Sequence, residues 1–257
     1  MKPFSLSAFF DQARTDDLPT HVLQFQSYLT FLQYAPVYEK TLQYVQMNRS
    51  ALDWGCGNGH FSYFLLQQNI AVTGYSFDRP PPYLIDHKEY RFVAGNQSEP
   101  TNIPFSSQSF DYIFSIGVLE HVDEMGGSEE KSMLEIHRLL KPGGLFLCFH
   151  LPNQHQWVEP LIKKLRISEY THPKRYTEGE IREIVSRCEM TLESIGLYNF
   201  LPRNPFIKAP ITIRDSRLLG TIIGFLDRIL GRILARFCTN YYFIARKSLT
   251  QSDRCEV

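Results

Sequence analysis

From residue 50 onward the chain alternates short apolar runs with amphipathic stretches. This is the pattern of an α/β sheet whose strands are covered on both faces. Ser50–Trp54, Ile70–Tyr75, Arg91–Ala94 and Phe110–Ser115 read as the first four strands, and Leu145 opens a fifth. Thr191–Tyr198 and Asn240–Arg246 have the same character and predict two more. Helical spacing puts Phe61, Phe64, Leu65 and Gln68 on one face just after Gly59. Thr177 followed by Glu180 has the spacing of a capping box and predicts another helix start. Residues 1–49 are rich in aromatic side chains, Phe9, Phe25, Phe31, Tyr34 and Tyr38 among them, and read as helices preceding the first strand. One domain over 1–257 therefore divides into a helical cap (1–49), a core (50–150), a further segment (151–239) and a last strand with a tail (240–257).

One stretch of the third segment stands apart. Across 217–237, Leu219, Ile222, Ile223, Leu226, Ile229, Leu230, Ile233, Leu234 and Phe237 share a helical face, while Arg217, Asp227, Arg228, Arg232 and Arg236 share the other. Charges at that spacing exclude a membrane-spanning helix. An apolar face opposite a basic one is also the pattern of a helix lying in a membrane interface. Packing on the domain or on a second copy of the chain would cover the same face. Gly220, Gly224 and Gly231 weaken the helix and point to close packing or a hinge.

The chemistry concentrates at Asp53-Trp54-Gly55-Cys56-Gly57-Asn58-Gly59-His60. Glycines at alternate positions between a strand and a helix let a ligand lie against bare backbone. The spacing is not the G-x-G-x-x-G of a dinucleotide site, and the Gly-Lys-Ser/Thr ending of a P-loop is missing. Asp53 would repel a pyrophosphate and favour a cation.

This loop resembles the first motif of the class I methyltransferases that use S-adenosylmethionine (SAM), whose sulfonium and ammonium suit a nearby carboxylate. Ile103-Pro104-Phe105 through Phe110-Asp111 to Leu119-Glu120-His121-Val122, followed by Leu139-Leu140-Lys141-Pro142-Gly143-Gly144, resembles the later motifs of the group containing quinone-biosynthesis methyltransferases. The resemblance implies a Rossmann-like, mostly parallel seven-stranded sheet closed by an antiparallel last strand. It also implies a cofactor site at Asp53, Gly55, Cys56, Gly57, Gly59, Asn96, Ser115 and Ile116. The acidic residue that binds the cofactor's ribose is replaced by Ser76, with Asp78 two positions on, so either residue is a candidate for that contact. Tyr34 or Tyr38 is placed to offer a ring to the sulfonium.

Charge and cysteines narrow the field. Lys and Arg number 27 against 27 Asp and Glu, which gives no basic surface for nucleic acid. Five scattered cysteines form neither metal nor disulfide spacing, and no signal-peptide pattern opens the chain, so a cytoplasmic location is expected, with membrane association through 217–237 as an open addition. O-methylation benefits from a base, and His150 and His121 follow the fifth and fourth strands. Relatives that hold a metal in a Glu-x-x-Glu-His cluster have Glu where this chain has Gly117, so no metal is expected. The expected activity is methyl transfer to a small or lipid-linked acceptor, most simply at oxygen. The alternative is a non-catalytic SAM-fold subunit that binds a partner protein.

Overall fold

The computed structural model describes residues 4–166, 172–202 and 209–249, so residues 250–257 of the tail fall outside the described residues. One sheet contains β1 (Ser50–Trp54), β2 (Ala71–Ser76), β3 (Tyr90–Ala94), β4 (Phe110–Ile116), β5 (Leu140–Pro152), β6 (Met190–Tyr198) and β7 (Asn240–Lys247). Their order is β3-β2-β1-β4-β5-β7-β6. The first five run parallel, and β7 lies antiparallel between β5 and β6, the expected topology. Six strands end within a residue of their expected limits. The exception is β5, which takes in the anticipated turn at Lys141–Gly144: Leu140 pairs with Phe110, and the register then slips so that Leu145 meets Tyr112.

Helices cover both faces. On one, α1 (Leu6–Thr15), α2 (Tyr28–Leu32), α3 (Ala35–Thr41) and α4 (His60–Leu66) pack an aromatic core of Phe9, Phe10, Phe25, Phe31, Tyr38, Phe61 and Phe64 against Phe114, Leu147 and Phe149. Burying each of these rings contributes roughly 1.5–3 kcal/mol relative to exposure, which is what folds the aromatic N-terminal stretch onto the sheet. On the other face, α5 (Glu129–Leu139) and α7 (Glu178–Arg187) bring Met133, Ile136, Ile181 and Val185 against Ile113, Phe146 and Phe243. The Thr177–Glu180 capping box is present at the start of α7.

After β5 the chain forms α6 (Val158–Lys164), and before β7 it forms α8 (Ile211–Arg214) and α9 (Arg217–Ile233). Of the two faces expected for 217–237, the polar one supplies charged contacts that dock α9. Gly220 is the one buried residue of α9, seated where a Cβ would fall 2.7 Å from Leu32 and 2.8 Å from Tyr28. Arg217 lies 4.1 Å over the Tyr28 ring and pairs with Asp11, and Asp227 accepts the Leu201 backbone N–H at 2.6 Å. These two charges dock the helix because each satisfies a partner on the body of the protein. Arg228, Arg232 and Arg236 stay exposed, and so do Leu218, Ile222, Phe225, Leu226, Ile229 and Ile233. Much of the apolar face thus points away from the domain. Among the described residues no helix is long and apolar enough to cross a membrane.

Candidate active site

β1 lies between β2 and β4, whose connections leave on opposite sides of the sheet, and a crevice opens at the carboxyl ends of such strands. A cleft of about 360 Å³ fills that position, lined by Trp54, Gly55, Tyr75, Ser76, Phe77, Asp78, Gln97, Val118, His121 and Val122, among others. Gly55 has φ +76°, and a Cβ there would fall 2.4 Å from Val118, so no side chain fits. At Gly57, φ is +49° and the nearest atom to a Cβ would be 3.9 Å away, which leaves bare backbone beside open space.

Asp53 lies behind the loop. It is 2% exposed and accepts a 2.6 Å hydrogen bond from the Ser62 hydroxyl on α4, tying the strand end to the helix. Burial raises its pKa to about 6 against the opposing pull of Ser62. Cys56 is also buried, packed toward Tyr90, and its thiol is pushed up by burial and by Asp53. Over the loop, Asn58 donates to Gln24 at 2.9 Å, so the N-terminal helical region reaches across the glycines.

The methyltransferase-domain family matches residues 52–148, the stretch that carries the loop, the cleft and β1 to β5. Over that stretch the chain is similar to methyltransferase domains. Among relatives, an uncharacterized methyltransferase of Synechocystis is 28% identical over 119 residues, 44% of this chain and 52% of that protein. The ubiquinone/menaquinone biosynthesis C-methyltransferase of Bartonella bacilliformis is 39% identical over 77 residues, 29% of this chain and 25% of its own length. The chain thus spans about half or less of these relatives. The 1,6-didemethyltoxoflavin-N1-methyltransferase of Burkholderia thailandensis, solved with S-adenosylhomocysteine, shares the fold with a TM-score of 0.54 at 17% identity, covering 96% of this chain and 92% of that one.

The cleft has features that suit SAM: Gly55 and Asp78 line it, the bare backbone of Gly57 lies in the same loop as Gly55, and the Asp53 carboxylate is buried at the end of β1. Ser76 and Asp78 line the cleft together. The Ser76 hydroxyl accepts the Asp78 N–H at 3.1 Å and lies 3.4 Å from its carboxylate. Asp78 thus brings a carboxylate to the cleft two residues beyond Ser76. Because hydrogen bonds to a charged group contribute roughly 1.5–3 kcal/mol, Asp78→Ala is expected to weaken SAM binding about tenfold or more. Calorimetry showing unchanged affinity would remove Asp78 from the ribose contact.

Other assigned residues sit differently. The Asn96 amide oxygen is occupied by the Ser98 N–H (3.1 Å) and hydroxyl (2.8 Å), and Gln97 lines the cleft instead. Ser115 is fully buried in β4 between Trp54 and Cys148, with Ile116 at the strand end; the wall there is built by Val118, His121 and Val122. Tyr38 is buried among phenylalanines, whereas the Tyr34 ring lies 4.8 Å from His60 and 5.1 Å from His150.

His150 occupies a bulge in β5. Leu145, Leu147 and Phe149 face one core and Phe146 and Cys148 the other, yet Leu151 joins the second set, so alternation breaks at His150, where φ is +68°. Bulges of this kind re-aim a side chain. The Tyr198 hydroxyl accepts the His150 backbone N–H at 2.8 Å and meets Nδ1 at 2.7 Å. With hydrogen on Nδ1, the basic atom of the ring is Nε2. His60, buried and lowered to about pKa 3 by desolvation, remains neutral. His121 lines the cleft, its Nδ1 2.7 Å from Glu124. Sequence reading missed His60, Gln97, Tyr198 as a partner of His150, and His172, which lies beside Glu120 and His121. Only His60, inside the glycine loop, carried a local signal.

Proposed function

We propose that the protein methylates an oxygen of a small acceptor carried on a lipid, with His150 taking the hydroxyl proton. His150 carries this reading: a histidine turned out of register at the carboxyl end of β5, with Nδ1 held by Tyr198 and one ring edge against Tyr34. Bound SAM would supply the methyl group on a cationic sulfur. The chain's part is to orient the acceptor between Tyr34, His60 and His150, and to hold His150 with Nε2 as the base.

The exposed face of α9 supports the lipid-borne acceptor. Leu218 (73% exposed), Phe225 (62%) and Ile233 (73%) form an apolar strip flanked by Arg228, Arg232 and Arg236. Such a strip beside cations matches an anionic bilayer surface. The test uses SAM labelled on its methyl group, with polyprenyl-linked sugars or quinone precursors in anionic vesicles. We expect the protein to float with the vesicles and to label a hydroxyl oxygen. The double variant Arg228→Glu, Arg232→Glu should do neither, while still methylating a short-chain, water-soluble analogue. A wild-type protein that stays with the aqueous phase would remove the membrane part, and label on ring carbon would overturn transfer to oxygen.

A further inference from the structure

We infer that Glu120, His121 and His172 form a binding site for a first-row divalent transition-metal ion at the wall of the candidate active site. One ligand atom from each lies within 4.8 Å of the other two, with Glu120 buried and both histidines partly buried. Glu120 Oε1 is 3.9 Å from His121 Nε2. Glu120 and His121 share the single turn Leu119–His121 after β4, whereas His172 arrives from the segment between α6 and α7. The set therefore differs from a Glu-x-x-Glu-His cluster: position 117 is glycine, and the third ligand is a histidine from elsewhere in the chain.

A second ring of carboxylates distinguishes this arrangement from a chance meeting of polar groups. Nδ1 of His121 is 2.7 Å from Glu124 Oε1, and Nδ1 of His172 bonds Glu159, which is itself paired with Arg175 at 2.9 Å. A carboxylate on Nδ1 fixes the tautomer, makes Nε2 the ligand atom and raises its basicity. Both rings carry this device, and their centroids are 5.9 Å apart. Two imidazoles with one carboxylate suit zinc, cobalt, nickel or ferrous iron rather than calcium or magnesium. Three protein ligands leave coordination positions open.

Those positions have a neighbour. A Cβ at Gly117 would lie 3.6 Å from the Glu120 carboxylate and 3.8 Å from His150 Cβ, and His121 also lines the cofactor cleft. An acceptor oxygen held between His150 and the Glu120 carboxylate would lie near the ion, and coordination would favour loss of its proton. That role rests on the function proposed above; the metal site itself does not.

The test strips the full chain with a chelator and titrates it with Co²⁺, reading the visible d–d bands, with S-adenosylhomocysteine calorimetry run in parallel. We expect one Co²⁺ per chain. His172→Ala and Glu120→Gln should each weaken it by about tenfold or more, while exposed His87→Ala should not. His172→Ala should keep its affinity for S-adenosylhomocysteine, which shows that the fold is intact. Absence of saturable one-to-one binding in the wild type overturns the site, and so does undiminished binding in His172→Ala. Cobalt binding without S-adenosylhomocysteine binding would overturn the proposed function and leave the metal site standing.

Discussion

Asp53→Asn is expected to make the protein more stable at pH 8 while weakening its hold on SAM. The carboxyl is fully buried, and desolvation raises its pKa from 3.8 to about 6 in spite of the Ser62 hydrogen bond. A folded-state pKa above the unfolded value means that stability is fully present below about pH 4 and is lost as pH rises through 6. A shift of this size corresponds to roughly 3 kcal/mol at neutral pH. The amide keeps a partner for Ser62 and carries no charge to desolvate. The difference in melting temperature between variant and wild type should therefore grow from near zero at pH 4 to several degrees above pH 6. A difference that stays flat across this range would show that Asp53 ionises as it does in water. The same buried charge attracts a cationic ligand at the glycine loop. Affinity for SAM is expected to fall about tenfold or more in the variant, and to fall in the wild type as pH drops below 6. Stability and binding would then move in opposite directions on one substitution.

His150→Ala is expected to lower turnover by about a hundredfold or more on the acceptor that the transfer assay identifies, with affinity for S-adenosylhomocysteine unchanged. Tyr198→Phe should give a smaller loss in the same parameter, because it removes the partner of Nδ1 and leaves the imidazole in place. Equal losses of kcat and of cofactor affinity would mean that the bulge, rather than the base, had been disturbed. A drop of less than about threefold would return His150 to a structural role.

The parallel core was legible because its strands are buried on both faces and so read as short, mostly apolar runs, as at Ala51–Trp54 and Phe110–Ser115, each interrupted by a single aspartate. The glycine loop was legible because its constraint is local: Gly55 has neither a left-handed penalty nor room for a Cβ. What escaped depends on residues far apart in sequence. His172 reaches Glu120 across the whole of β5 and α6, and Tyr198 meets His150 from another strand; neither pairing has a periodic signature. Spacing placed Asp227 and Arg217 on the charged face of the helix but could not give their partners, the Leu201 N–H and the Tyr28 ring, which belong to other segments. At Asn96 the residue type was legible but its local partners were not: Ser98 donates twice to its amide oxygen.

The place of β7 between β5 and β6 sets an order of events during synthesis. Once Leu140–Pro152 has left the ribosome, its outer edge must wait for Asn240–Lys247, because β6, although made earlier, pairs only with β7. At roughly 5–20 residues per second the delay is of order 5–20 seconds. For that interval Phe146, Leu147, Cys148 and Phe149 present an unpaired apolar strand, the kind of template on which nascent chains aggregate. The yield of folded protein should therefore depend on whatever shields that edge until the last strand arrives.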